Sequence, residues 1–403
     1  MSCPITMRAL ENADPFPAYE TLRQQGTVVW DDSLKGWLVL DAELCRHVEL
    51  NEPALFRNMY ADADPLIVEL KGGLANITVS QGEQHSRMRR FHQTLLSPRA
   101  LASYREQIIV PIIQAMLDRV LAKGGRADLA ADFGDEIPPR VICALLGMPW
   151  QDDELIRKTL QLNEEIMKWI GRGYYDEEGV RDARAASAAI NDILLPFIRE
   201  RRERPQDDFI SRVWKEAPHE YGELSEADAL AICRELYLGG ADTTVHGIAN
   251  SLYLLLWNPE IRSAVANDRE QLANVIEEAQ RLYGSPQWRY RRANQDCNLG
   301  GVDVAKDQVL ILLHGAANRD PKRFGQCPSH PDLARPRMRD HLTFGYGPRS
   351  CVGMGLARME MRDALNGVLD RLPNVRPDLD AEPPRFANLF MRSYRPLHVL
   401  FDA

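Results

Sequence analysis

The sequence lacks the cysteine pairs that mark a disulfide-stapled or zinc-binding protein. Its seven cysteines are an odd number, lie scattered along the chain and include no Cys-x-x-Cys spacing; its nine histidines include no His-x-x-x-His spacing. Neither a disulfide framework nor a structural zinc site is therefore predicted. Cysteines of this kind are typical of a reducing compartment, so we expect a cytoplasmic location.

Long apolar runs and excess positive charge are also missing. Residues 1–17 contain acids and prolines and no apolar run, so no signal peptide is predicted. No window of about 18 residues is apolar enough to span a bilayer. The 49 Lys and Arg residues are outnumbered by 58 Asp and Glu residues, for a formal net charge of -9. We expect a soluble protein that binds neither membranes nor nucleic acid.

Most of the chain from residue 81 to residue 370 is predicted to be helical, with short β segments before and within it. The predicted strands are Val28–Trp30, Trp37–Leu40, Asp296–Val302 and Gln308–Leu313. The predicted helices are Glu83–Leu96, Pro98–Ala122, Gln151–Arg172, Glu177–Arg204, Ser225–Trp257, Asp268–Tyr283 and Gly353–Leu372.

The long helix predicted at Ser225–Trp257 has a clear start and an unusual centre. Ser225 can cap it, with Asp228 three residues on, close to a capping box. Its centre contains Gly239 and Gly240, and each glycine inside a helix costs about 1 kcal/mol relative to alanine. We therefore expect something to approach the helix backbone there.

The most informative segment is residues 344–353, with the sequence FGYGPRSCVG. It is a glycine-rich loop that leads into a predicted helix, where backbone N–H groups are expected to depress the pKa of Cys351. The glycines let a flat ligand lie near the main chain, and Arg349 can bind a carboxylate. A buried structural cysteine in a turn stays open as an alternative. A phosphate loop does not fit, because no Gly-Lys-Ser/Thr follows.

This segment resembles the cysteine-ligand loop of the cytochrome P450 family, Phe-Gly-x-Gly-x-(Arg/His)-x-Cys-x-Gly, at every defined position. The resemblance implies a haem b whose iron takes the Cys351 sulfur as its axial ligand, with Phe344 and Gly345 beside it. It implies the mainly α P450 fold with a small β region, a triangular prism with haem between the long central helix and the Cys-ligand helix.

The resemblance covers nearly the whole chain, so residues 1–403 are expected to form a single P450 domain. Its small β-rich lobe would comprise about residues 1–80, 285–315 and the C-terminal loops, and its helical lobe the remainder. In the family, the pair matched by Glu278 and Arg281 assembles the fold. From the residues alone, an i,i+3 surface pair is the alternative.

A second match lies in the long helix, where residues 239–244, GGADTT, resemble the family's oxygen-activation motif. This implies that the two glycines leave room for dioxygen, that Thr243 hydrogen-bonds the iron-bound oxygen and that Asp242 supplies protons through water. The alternative is a Gly/Thr kink in a core helix. His246 is interpreted as a packing residue or a water contact.

Four residues match positions where the family binds the haem propionates: His85, Arg89, Arg291 and Arg349. The alternative for His85 and Arg89 is a solvated basic helix face. By homologous position, the substrate pocket would be lined by Ile77, Val79, Leu238, Ala241, Gln287, Trp288, Leu389 and Phe390. Most of these are apolar, as expected of a ligand pocket. The resemblance implies a small apolar substrate, aromatic or terpenoid-like, because such compounds are common substrates of the family's bacterial members.

The resemblance thus implies a haem-thiolate monooxygenase that hydroxylates or oxidatively dealkylates its substrate with dioxygen. We expect no fused electron-transfer domain, so two electrons would come from a ferredoxin or flavodoxin with its NAD(P)H reductase. Arg87, Arg90 and Arg99 are candidates for its docking patch. A peroxide-driven peroxygenase is an alternative that the Asp242-Thr243 pair disfavours, and a non-enzymatic haem sensor is another.

Overall fold

A computed structural model describes residues 5–62, 65–172 and 177–402, and the chain is mainly helical there. The helices are α1 Phe16–Gln25, α2 Ala42–Leu50, α3 Pro65–Lys71, α4 Gly82–Leu95, α5 Pro98–Tyr104, α6 Val110–Leu121, α7 Ile137–Leu145, α8 Asp153–Arg172, α9 Glu177–Glu203, α10 Phe209–Glu216, α11 Pro218–Tyr221, α12 Glu226–Ala241, α13 Thr243–Trp257, α14 Pro259–Asn267, α15 Gln271–Tyr283, α16 His314–Ala317, α17 Pro321–Phe324 and α18 Met354–Arg371. None of the described helices is long and apolar enough to cross a bilayer.

The β structure is small and combines distant parts of the chain. The strands are β1 Val28–Asp31, β2 Gly36–Val39, β3 Phe56–Asn58, β4 Arg126–Asp128, β5 Arg289–Ala293, β6 Cys297–Leu299, β7 Val302–Val304, β8 Val309–Leu312, β9 Arg376–Pro377, β10 Arg385–Ala387, β11 Ser393–Arg395 and β12 His398–Leu400. The largest sheet has the order β1-β2-β8-β5-β3, in which only β2 and β8 pair in parallel. The other sheets are β4-β12-β9, β10-β11 and β6-β7.

The seven predicted helices are confirmed, with two changes inside them. A π-helical segment, Arg105–Ile109, separates α5 from α6 within the helix predicted at Pro98–Ala122. The helix predicted at Ser225–Trp257 divides at Asp242 into α12 and α13. The β structure predicted near Asp296–Val302 is confirmed as a hairpin of β6 and β7, in which Gly300 and Gly301 turn the chain with positive φ.

The start of α12 follows the sequence prediction, and its end shows how the break arises. Ser225 and Asp228 form the expected capping box, each bonding the other's backbone N–H at 3.0–3.1 Å. At the break, the Thr243 hydroxyl donates to the Gly239 carbonyl at 2.8 Å, a side-chain bond that bends helices. A side chain at Gly240 would overlap Ile142, so α7 packs directly on this backbone.

The six cysteines that the structure describes are free thiols, and Cys3 lies outside the described residues. The assignment of residues 1–403 to one domain stays a prediction. The β-rich regions expected from sequence do share the largest sheet, because β1, β2 and β3 pair with β5 and β8.

Glu278 and Arg281 form a fully buried ion pair at the end of α15. The guanidinium donates twice to the carboxylate at 2.7 Å, and neither side chain is exposed, so the surface-pair alternative is wrong. Arg335, which the sequence did not single out, donates to Glu278 at 3.2 Å. Arg281 also donates to the carbonyls of Asn318 and Pro328 at 2.8 and 2.6 Å. The cluster therefore fixes the loop after α17 against α15.

We predict that Glu278→Gln destabilises the fold by about 3–5 kcal/mol, because two buried guanidinium groups lose their counter-charge. The change is measured as the shift in the free energy of unfolding in urea. Glu226→Gln is the control, since Glu226 pairs with Arg199 on the surface and its loss should have little effect. Equal losses in the two variants would contradict the structural role of Glu278.

Candidate functional site

A cavity of about 320 Å³ lies between the long helix and the loop that precedes α18. One wall is formed by Glu235, Gly239, Thr243 and Gly247, which are spaced four residues apart and so share one helix face. The sulfur-bearing Cys351 lines the opposite side, in the loop before Gly353. The site therefore has a cysteine facing a helix backbone across an enclosed gap.

The loop that carries Cys351 is held by its own backbone. The Cys351 N–H donates to the Phe344 carbonyl at 2.7 Å, and Gly345 and Gly347 adopt φ of +69° and +66°, which favour glycine. Arg89 of α4 donates to the Ser350 carbonyl at 2.6 Å. These bonds fix the direction of the Cys351 side chain. Phe344 lines the cavity, whereas Gly345 shapes the turn behind it.

The depressed pKa expected for Cys351 is wrong for the protein chain alone. Burial raises the pKa of this thiol, although Arg289, the Gly353 N–H and Arg89 act to lower it. The reason is that α18 begins only at Met354 while the sulfur is desolvated. A metal ion that binds the sulfur removes the proton outright.

Four guanidinium groups line one end of the cavity: Arg89, Arg289, Arg291 and Arg349. Arg291 pairs with Glu52 at 2.9 Å, and Arg349 pairs with the same carboxylate. The Arg289 Nε atom is buried and has no hydrogen-bond partner among the described residues. Glu52 and the nearby Glu49 cannot together balance four cations, so this end of the cavity attracts anions.

His85 does not supply the positive charge expected of it. Burial, together with Arg349 and Arg89, lowers the pKa of His85 to about 4, so its imidazole is neutral at pH 7. It still lines the cavity, where it can donate a hydrogen bond. Glu49, 3.6 Å from Arg291, was also missed; burial raises its pKa to about 7 despite Arg291 and Arg289. Arg289 takes the place of His85 as the fourth cation.

Thr243 faces the cavity, but Asp242 does not line it. The Asp242 carboxylate is buried, with Oδ1 3.4 Å from His246 Nε2 and with Oδ2 lacking a hydrogen-bond partner among the described residues. The other ring nitrogen of His246 lies 2.8 Å from the Ser393 hydroxyl. His246 therefore lies within ion-pair distance of Asp242 and hydrogen-bonds Ser393, so it is more than a simple packing residue.

Half of the eight expected pocket residues line the cavity: Ile77, Leu238, Trp288 and Phe390. The structure places the other four in its supporting layer: Val79, Ala241, Gln287 and Leu389. Gln287, for example, is fully buried and hydrogen-bonds the Gly284 carbonyl at 2.6 Å and the Tyr19 hydroxyl at 3.2 Å. Cavity-lining residues that sequence reasoning missed include Tyr60, Lys71, Met167, Ile170, Glu235, Tyr290 and Met391.

A buried arginine positions the loop that carries Phe390. Arg392 is fully buried and donates to the carbonyls of Leu389, Phe386 and Ala13 at 2.9–3.2 Å, and also to that of Leu10. It thereby ties the C-terminal loop to the N-terminal segment. No local sequence signal identifies such a role, because every partner is a backbone carbonyl.

The sequence matches the cytochrome P450 family over residues 35–401. The chain belongs to the cytochrome P450 family. It is 28% identical over 366 residues to the biotin biosynthesis cytochrome P450 of Bacillus subtilis, covering 90% of each chain. It is 32% identical over 316 residues to the mycinamicin IV hydroxylase/epoxidase of Micromonospora griseorubida, covering 76% of this chain and 74% of the relative.

Solved P450 structures share this fold. P450BioI, crystallised in complex with an acyl carrier protein ligated to hexadec-9Z-enoic acid, superposes with a TM-score of 0.84 at 26% identity, covering 96% of this chain and 99% of P450BioI. Cytochrome P450 260B1 of Sorangium cellulosum gives 0.82 at 26%, covering 96% and 95%. With relatives named as hydroxylases and monooxygenases, this chain is a haem-dependent P450 monooxygenase with the mainly α P450 fold.

The cavity residues fit a haem group. Cys351 would supply a single sulfur ligand, and the unpaired Arg289 Nε lies among cations that would suit two propionates. A side chain at Gly239 would meet nothing nearer than Glu235 Oε1 at 3.9 Å, so the helix leaves open space in the cavity there. Gly240 also lines the cavity, but a side chain at this position would overlap Ile142.

His92 of α4, which lines the same cavity, provides a test of burial that can be made by unfolding measurements alone. Burial, and Arg89 beside it, lower its pKa to about 4 from the ordinary 6.5. The unfolded chain therefore binds a proton that the folded chain rejects. Its contribution to stability is fully present above pH 6.5 and is lost as the pH falls toward 4.

We predict that His92→Gln makes the fold less sensitive to acid. At pH 5, below the unfolded pKa by about 1.5 units, wild type should have lost about 2 kcal/mol through His92, and the variant should not lose this share. The measurement is the free energy of unfolding at pH 7 and pH 5. His330→Gln, at an exposed position, is the control and should follow wild type. Parallel acid profiles for wild type and His92→Gln would contradict the prediction.

Proposed function

We propose that this P450 binds haem b through Cys351 and uses dioxygen with two external electrons to hydroxylate or oxidatively dealkylate a small, mainly apolar molecule. The observation that supports it is that Cys351 of the loop before α18 and Thr243 of the long helix line one cavity together with four arginines. A porphyrin between this loop and this helix would present its iron to the cysteine on one face and to the hydroxyl on the other.

When bound, haem b supplies an iron that binds and activates dioxygen, with a thiolate ligand that favours O–O cleavage. In the proposal, Arg89, Arg289, Arg291 and Arg349 bind the propionates, and neutral His85 donates one hydrogen bond to them. Arg89 has a second task, because it also holds the Ser350 carbonyl next to the ligand. Cofactor binding and ligand placement thus share one side chain.

Thr243 and Asp242 are proposed to deliver the proton that oxygen activation requires. The Thr243 hydroxyl donates to the Gly239 carbonyl at 2.8 Å. The lone pairs of the hydroxyl oxygen are therefore available to accept a hydrogen bond from a donor in the cavity. Asp242 lies one residue away, behind the cavity wall, with an unsatisfied Oδ2. In this arrangement Asp242 receives protons from the His246 side and passes them through water to the Thr243 hydroxyl.

We also propose that a ferredoxin or flavodoxin with its NAD(P)H reductase supplies the electrons to this protein in the cytoplasm. Arg87 and Arg99 are exposed and available to an acidic partner. Arg90 is exposed as well, but Glu220 lies 3.0 Å from it and neutralises its charge. The expected docking patch is thus weaker than three cations would make it, and neutralising Arg87 should affect reduction more than neutralising Arg90.

The alternatives differ from this proposal in what they require of Thr243. A peroxide-driven peroxygenase needs no proton relay from the long helix, and a haem sensor needs no proton donor at all. The hydroxyl that faces the cavity, backed by a buried carboxylate, favours oxygen activation with external electrons.

We predict that the reduced, carbon-monoxide-bound protein shows the strongly red-shifted Soret band of thiolate ligation. Cys351→Ser should lose this band, because serine does not provide a sulfur ligand. Cys327→Ser is the matched control, since Cys327 is an exposed free thiol. If the red-shifted Soret band persisted in Cys351→Ser, or were absent from wild type, the assignment of Cys351 as the ligand would be refuted.

We predict that Thr243→Ala lowers the amount of product formed per electron consumed by about tenfold or more, because the hydroxyl that delivers the proton is lost. Electrons should instead appear as hydrogen peroxide. Turnover is measured with ferredoxin, reductase and any compound that shifts the iron spin state. Ser251→Ala is the control, because Ser251 makes the same bond to its own helix, at 2.7 Å to Gly247, without lining the cavity. Unchanged coupling in Thr243→Ala would favour the peroxygenase alternative.

A further inference from the structure

The cavity wall contains two ionisable side chains that a purely apolar substrate does not need. Glu235 of α12 and Lys71, the last residue of α3, both line the cavity. Lys71 is buried, and its ammonium lies 4.7 Å above the Tyr60 ring. Burying charges costs free energy unless they are paired and hydrogen-bonded, so two such groups in a ligand cavity call for a partner.

Glu235 differs from its neighbour Arg234, whose charge is fully used by the fold. Arg234 is completely buried and donates to Ser187, Asn191 and the Leu70 carbonyl at 2.9–3.1 Å. Glu235 is only half-buried, and the surface it keeps faces the cavity. The carboxylate therefore retains acceptor capacity toward a ligand.

Lys71 and Asn76 lie close enough to Glu235 to influence its carboxyl group. Burial raises the pKa of Glu235, while the Lys71 charge and an Asn76 hydrogen bond act to lower it. Asn76 is fully buried, and its side chain bonds the Lys71 carbonyl at 3.0 Å and the Thr78 N–H at 2.9 Å. Its amide is thus immobilised behind Lys71.

We propose that Glu235 and Lys71, supported from behind by Asn76, form a polar subsite that binds a neutral hydroxyl or carboxamide group on the substrate. Such a group donates to the carboxylate and accepts from the ammonium, so it satisfies both charges without adding one. A ligand carboxylate would meet Glu235, and a ligand ammonium would meet Lys71, each as a like charge.

The geometry also sets the distance from this group to the oxidised carbon. Glu235 Oε1 lies 3.9 Å from the position that a Cβ atom on Gly239 would occupy. Gly239 is one helical turn before Thr243. Four residues of helix span about 6 Å, so the polar group lies about 6 Å from the Thr243 level. At about 1.5 Å per bond this separates it from the oxidised carbon by about four bonds. This inference rests on the proposed function, because Thr243 marks the reaction position.

The test is a set of phenylalkanes of one chain length that end in a methyl, hydroxyl, carboxamide, carboxylate or trimethylammonium group. Binding to the haem-loaded protein is measured by equilibrium dialysis, which does not depend on the iron spin state. The hydroxyl and carboxamide compounds should bind about tenfold more tightly than the methyl compound, and the two charged compounds should gain nothing.

Variants separate a ligand subsite from a structural ion pair. Glu235→Gln should reduce the hydroxyl preference, and the charge-balanced double variant Lys71→Met with Glu235→Met should abolish it while leaving the methyl compound bound. Glu154→Gln, at an exposed position outside the cavity, should keep the wild-type preference. Equal binding of the hydroxyl and methyl compounds by wild type, or a preference that survives in the double variant, would overturn the proposal.

The carbon-monoxide spectrum of each variant is recorded first. A protein that shows thiolate ligation but no hydroxyl preference fails the subsite alone. A protein without thiolate ligation fails the proposed function, whatever its ligand preference.

Discussion

Repulsion among four guanidinium groups at one end of the cavity is the constraint on which the site depends. Arg89 comes from α4, Arg289 and Arg291 from β5, and Arg349 from the loop before α18, so folding itself brings them together. Glu52 and Glu49 offset only part of this charge. An anionic cofactor that bound the native state alone would supply the remainder and would thereby stabilise the fold.

The parts of the site that could be predicted are those in which the necessary residues are neighbours in sequence. The Cys351 loop carries its glycines, arginine and cysteine within ten residues, and Glu278 and Arg281 share a helix face. Arg335 and Glu52 could not be predicted, because each meets its partner only after distant segments pack. The neutral state of His85 was missed for the same reason: desolvation is a property of the folded protein, whereas the sequence shows only a basic residue.

The helix break at Asp242 affects both the cavity side of the long helix and the side that packs against His246. In a continuous helix, the residues around Gly239 would bury their backbone groups fully, whereas here the Thr243 hydroxyl shares the Gly239 carbonyl. The break turns Asp242 away from the cavity and toward His246, whose other nitrogen meets Ser393 of β11. Arg395 continues this chain, because it donates to Ser393 at 3.0 Å and pairs with Asp135 nearer the surface. The two glycines, which cost helix stability, thus mark a place where a chain of polar side chains begins as well as a place where the helix faces open space.

The polar residues of the cavity also show why homologous position alone predicts the substrate-lining residues poorly. Four of the eight wall positions taken from the family proved to be supporting residues, and the polar ones, Lys71 and Glu235, come from segments with no distinctive local pattern. A lysine at a helix end and a glutamate within a helix ordinarily face solvent. Here both are enclosed because α3 packs across α12, with Arg234 bonded to the Leu70 carbonyl as the clasp. The contact between α3 and α12 therefore places a carboxylate and an ammonium inside the cavity, and the Arg234 bond that holds it is separate from both of these side chains.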